Sequence, residues 1–96
     1  MVPSSEAEFK QAEAEQANLR LPQTTEDWAE LEARAAKGPS AVYAWIYGET
    51  SFMANQVKGI TWADMGQSDA GAVAACHQLI EGLRQMQDVT AEDKHF

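Results

Sequence analysis

Residues 40–59 read SAVYAWIYGETSFMANQVKG, and the way they fold decides the architecture. They hold Tyr43, Trp45, Tyr47 and Phe52, half of the chain's eight Trp, Tyr and Phe residues. The stretch begins after Gly38-Pro39 and closes on Lys58-Gly59, two stop signals. Ser40 is the expected cap of a helix between them. On a helical wheel, Val42, Trp45, Ile46, Phe52, Met53 and Val57 form a wide apolar stripe. Tyr43, Tyr47 and Ala54 form a second stripe beside it. So much apolar surface fits a central helix, or one shared with a second chain. The rival reading is a hairpin, because VYAWIY has β character and GETS could turn. Helix is preferred, since FMANQVK does not alternate and no other stretch offers a strand partner.

Glu49 disturbs this stripe, falling between Trp45 and Met53 on the wheel. A buried unpaired carboxylate is costly. Three outcomes are open. Glu49 pairs with Arg84 or Lys58; the helix bends or breaks at Gly48 and turns it outward; or this face is a groove that receives a partner. The break at Gly48 is preferred.

Before the central stretch, TTEDWAELEARAAK predicts a helix from Glu26 to Lys37, with Thr24 and Asp27 as a cap pair or Thr25 as cap. Trp28, Leu31 and Ala35 share one face. Arg34 and Lys37 suit the negative end of the helix dipole, and Gly38-Pro39 stops it. Upstream, EAEFKQAEAEQANLRL predicts an acidic helix capped by Ser5 with Glu8, or by Ser4, and ended by Pro22. Residues 1–3 read as a loose end. The apolar stripe of this helix is thin: Phe9 and Ala12, then Leu19. It is expected to be loosely attached, or to pack across a partner subunit.

After Gly59, Thr61 with Asp64 predicts a single helical turn ended by Gly66. Ser68 or Asp69 then caps a last helix over DAGAVAACHQLIEGLRQMQD. Val73, Cys76, Leu79 or Ile80, Leu83 and Met86 repeat at heptad-like spacing. Its small first half (Ala70, Gly71, Ala72, Ala74, Ala75) is a candidate docking face for the bulky third helix. Val89-Thr90 is expected to end it, leaving residues 89–96 as a charged tail. The expected fold is all-α: one domain over residues 1–96, a small bundle of about four helices. A core this small makes a homodimer a reasonable expectation.

The net charge is −8, from 15 acids against seven bases. That balance argues against a nucleic-acid binder and against attraction to anionic membranes. It favours a protein partner with a basic surface. Residues 1–32 carry eight acids against Lys10 and Arg20, a net of −6, so the acidity sits mainly in the N-terminal third. The single cysteine, Cys76, forms no intrachain disulfide. The opening residues MVPSSEAEF have no basic start or apolar run, and no segment is apolar enough to span a membrane. The cytoplasm is the expected compartment.

No reaction is identified by the residues. Cys76 and His77 are adjacent on a helix and diverge, so they cannot grip one metal ion or form a nucleophile–base pair. Cys76 reads as a core thiol, and His77 with Glu81 as an i,i+4 surface pair. Asp64–Asp69 fails as a calcium loop, because Gly66, Asp69 and Ala75 stand where positions 3, 6 and 12 belong. No glycine cluster makes a phosphate loop. No catalytic residue, cofactor or metal ligand is therefore assigned.

The expected function is a non-enzymatic regulator that captures and inhibits another protein, such as an antiactivator of a transcriptional regulator. Immunity proteins and phage-encoded inhibitors are of the same physical kind. In size, acidity and helix content the chain is similar to small helical antiactivators, a general likeness that carries over no residue. The alternative is a small-molecule-binding module, with Tyr43, Trp45, Tyr47, Phe52 and Trp62 lining a pocket and Glu49 as polar anchor. An enzyme and an assembly subunit are further classes. The candidate partner or dimer contacts are Tyr43, Tyr47, Glu49 and Phe52, with Trp45 and Ile46 assigned to the core.

Overall fold

A computed structural model describes residues 2–93. The fold is all-α, and no strand occurs among the described residues. Among the described residues five α-helices follow in order: α1 (Val2–Ala17), α2 (Thr25–Ala35), α3 (Pro39–Tyr47), α4 (Phe52–Gln56) and α5 (Ala72–Asp93). A 3₁₀ turn, Ala63–Met65, lies between α4 and α5. No helix among the described residues is long and apolar enough to cross a membrane.

The central stretch does not form one helix. Gly48 has φ of +107°, a conformation open to glycine and strained for other residues, and its N–H donates to Ala44 O at 2.9 Å. Ser51 then starts α4: its hydroxyl oxygen accepts from Ala54 N at 3.1 Å, while its proton goes to Gly48 O at 2.6 Å. A glycine stop followed three residues later by a serine cap is a complete break in place of a bend. Nor does Ser40 cap α3. Gly38 occupies the cap position, and Pro39 takes the first helical position, where its missing N–H costs nothing.

The other boundaries follow local chemistry to different degrees. Thr24 caps α2 by accepting from Asp27 N at 3.1 Å, and Asp27 reaches back to Gln23 N at 3.0 Å. Thr61 and Asp64 bond reciprocally, each side chain accepting from the other's N–H, at 3.1 and 3.2 Å. Gly66, with φ of +80°, ends that turn. Ser68 accepts from Gly71 N ahead of α5, whereas Asp69 reaches back to Ala63 N instead of capping the helix.

Three expected limits are corrected. α1 already begins at Val2, with Pro3 tolerated in its first turn, so Ser4 and Ser5 lie within the helix and not at its cap position. It ends at Ala17, short of Pro22, because Leu19 and Leu21 both turn onto the core and an extended chain lets them do so. α5 passes through Val89-Thr90 to Asp93. β-branched residues lower helix propensity without stopping a helix, and no glycine or proline follows. Of the expected charged tail, residues 94–96 lie outside the described residues.

The core joins Leu31 and Ala35 of α2, Val42, Trp45 and Ile46 of α3, Trp62, and Ala75, Cys76, Ile80 and Leu83 of α5. Val73 and Met86 are exposed, so the buried seam of α5 is narrower than the heptad-like pattern. α5 packs chiefly on α2, more than on α3; of its small residues, Ala75 is buried while Ala74 stands in solvent. Trp62 fastens this arrangement by donating its indole N–H to Ala35 O at 2.9 Å, across the C-terminal end of α2. Arg84 reaches the other end, donating to Pro22 O at 2.6 Å.

Candidate functional site

α3 is two-faced because its core residues and its tyrosines occupy different sides of a short helix. Val42, Trp45 and Ile46 point inward and are buried, as their spacing implies. Tyr43 and Tyr47, one turn apart, lie half-buried with ring centroids 5.5 Å apart and planes tilted by 42°. Burial pushes the Tyr43 hydroxyl up from its ordinary value. Burial, followed by the charges of Tyr43 and Glu15, pushes Tyr47 up to about 12. Both rings are therefore neutral donors at neutral pH.

The backbone of Phe52 is tied to α1 by an acid. Glu15 Oε2 accepts from Phe52 N at 2.8 Å, and Glu15 Oε1 accepts from Met53 N at 2.9 Å. These are amides of the first turn of α4, which have no carbonyl partner within their own helix. Partial desolvation opposes the Glu15 charge, but the Met53 and Phe52 amides and the Gln11 side chain outweigh it, and its pKa is lowered. Of the expected contacts, Tyr43 and Tyr47 thus pair on α3 with the Glu15 charge beside Tyr47, and Glu15 also holds the backbone turn that carries Phe52.

Glu49 is not part of that arrangement. It stands exposed in the turn between α3 and α4 and pairs with neither Arg84 nor Lys58. It borders instead a shallow groove of ≈ 350 Å³ with Glu30, Ala33, Arg34, Lys37 and Ala41. Arg34 is already engaged there, by Glu30 at 3.1 Å and by Ala41 O at 3.0 Å.

Trp45 is 5% exposed, which agrees with its core assignment, but its neighbours are unusual. The Arg20 guanidinium lies 3.8 Å from the centroid of its ring, and Arg20 N donates to Ile46 O at 2.9 Å. The indole Nε1 is buried with no hydrogen-bond partner among the described residues. Cys76 is fully buried, and burial first, then the Glu32 charge, pushes its thiol up to about 11. It is a core thiol held in its unreactive form. His77 turns the other way, onto α2: its ring stacks on Trp28 and its Nε2 lies 3.1 Å from Glu32 Oε2. Glu32, not Glu81, is its partner. Among the described residues, no group of three His, Cys, Asp or Glu side chains gathers closely enough to hold a metal ion.

Neither the Glu15 cap nor the Trp28–His77 stack was visible in helical spacing, since each joins residues from separate helices. The chain matches no protein-family model, no curated protein and no solved structure.

Proposed function

We propose that this chain is a non-enzymatic, protein-binding regulator of the cytoplasm that captures a partner with a basic surface and inhibits it, as an antiactivator restrains a transcriptional regulator. The observation that carries this is the placement of its charge. Glu8, Glu13, Glu26 and Glu30 all stand in solvent on α1 and α2, in a chain of net charge −8. An acidic surface of this kind steers a basic protein toward it and repels nucleic acid and anionic membranes. On α3 and α4, the half-exposed rings of Tyr43, Tyr47 and Phe52 are of the type that supplies contact energy once the partner has arrived. A homodimer belongs to the same proposal: Phe9 and Val73 are exposed and available to a second copy. Light scattering reads that state directly.

The test is affinity purification of the tagged chain from its native host, beside a variant with Glu8, Glu13, Glu26 and Glu30 all changed to Gln. A protein with a basic face, retained by the native chain and lost by the variant, is the expected result. Identical eluates from the two, or an eluate holding the tagged chain alone, would contradict the proposal.

A further inference from the structure

We infer that α1 is a releasable strap, latched to the rest of the molecule by the carboxylate of Glu15 on the first turn of α4. Among the described residues, the two bonds from Glu15 to Phe52 N and Met53 N are the hydrogen bonds that join α1 to another helix. The described side chains of α1 contribute little apolar anchoring beside them. Phe9, its largest described apolar residue, is 64% exposed, and Ala7, Glu8, Lys10, Gln11, Glu13 and Ala14 also stand in solvent.

The chain just beyond α1 is held firmly. Leu19 and Leu21 pack on the core, Pro22 is buried, and Arg20 is fixed to Ile46 O and to the Trp45 ring. Asn18 therefore marks the pivot between a fixed segment and a helix that rests chiefly on the short α4. Freed from α4, a helix of 16 residues with this composition is marginal in water, so release and unwinding go together. Within α1, Gln11 donates to Glu15 Oε2 at 3.1 Å and holds the latch in its working position, an arrangement that exists only while the helix is wound.

Release uncovers the first turn of α4 and removes the Glu15 charge from beside Tyr47. A basic partner drawn to the acids of α1 would compete for this strap and uncover the start of α4. That consequence rests on the protein-binding proposal, whereas the latch does not.

Hydrogen exchange on the isolated chain tests the latch without any partner, so its outcome is separate from the fate of the functional proposal. In Glu15→Gln and Glu15→Ala, the amides of residues 7–17 and those of Phe52 and Met53 are expected to exchange faster by about tenfold or more. The amides of α2 and α5 keep their rates, and Glu8→Gln, a charge change on the solvent side of α1, leaves all rates unchanged. Unaltered α1 exchange in Glu15→Ala would overturn the latch. Equal acceleration in α2 and α5 would make α1 part of one cooperative unit and overturn the strap. An equal response to Glu8→Gln would assign the effect to net charge and overturn both.

Discussion

The imidazole of His77 lies flat against the indole of Trp28, with ring centroids 4.2 Å apart and planes within 3°. This stack and the His77–Glu32 contact join α5 to α2 at the rim of the core. Both side chains are partly in solvent, so the contribution is modest. His77→Ala is expected to lower unfolding free energy by about 1 kcal/mol, and a double-mutant cycle with Trp28→Ala to show coupling of ~0.5–1.5 kcal/mol. Simple additivity in urea denaturation would show that the rings touch without stabilising the pair.

The two deeply buried tryptophans should respond differently to the same substitution. Trp62 gives its indole proton to Ala35 O, and Trp45 gives its proton to no described group. Trp62→Phe removes one of two donors to Ala35 O, which keeps the Gly38 N–H at 3.2 Å, and should cost about 0.5–1.5 kcal/mol beyond the packing loss. Trp45→Phe removes a donor that is already unsatisfied and should cost less. Equilibrium denaturation of the two variants checks the order, and a larger loss for Trp45→Phe would contradict it.

Gly48→Ala isolates the break between α3 and α4. No atom lies within 4 Å of a β-carbon placed there, so any penalty comes from the positive φ and not from a clash. It should cost ~1–3 kcal/mol, the range for a strained backbone conformation. A thermal midpoint equal to that of the native chain would mean that the turn relaxes freely.

How much of this was legible depended on sequence distance. The cap pairs Thr24–Asp27 and Thr61–Asp64 lie three residues apart, so the hydroxyl and carboxylate meet by local geometry alone. Trp45, Ile46 and Cys76 were legible as core because helical spacing sets which face they take. Gly48 and Glu49 conflicted with a continuous helix, and that conflict pointed to the break. Glu15 and Phe52 are 37 residues apart, and His77 and Glu32 are 45 apart. Helix docking brings these pairs together, and periodicity within one helix holds no record of it. The end of α5 escaped for another reason: Val89-Thr90 lowers propensity without imposing a stop.

Stability should fall at both ends of the pH scale through identifiable groups. Glu15 has a lowered pKa in the folded chain, so its contribution is full above the ordinary value of 4.5 and is lost as pH falls through the depressed one. Tyr47 and Cys76 are raised, to about 12 and about 11. Their buried neutral forms contribute fully below the ordinary values of 10.0 and 9.0, and that contribution is lost as pH rises toward the raised ones. Denaturation across pH should show the acid limb diminished in Glu15→Gln and the alkaline limb diminished in Tyr47→Phe. Unchanged limbs would remove these groups from the account. For the same reason, Cys76 should resist thiol reagents at neutral pH in the folded chain and react in denaturant; equal labelling in both states would contradict its burial.

The claim that this chain works by binding a basic protein is tested most directly by titrating the captured partner at increasing salt. Affinity should fall steadily as salt rises, and Tyr47→Ala should weaken it by roughly 1–3 kcal/mol at any fixed salt. An affinity indifferent to salt and unchanged by Tyr47→Ala would contradict the claim.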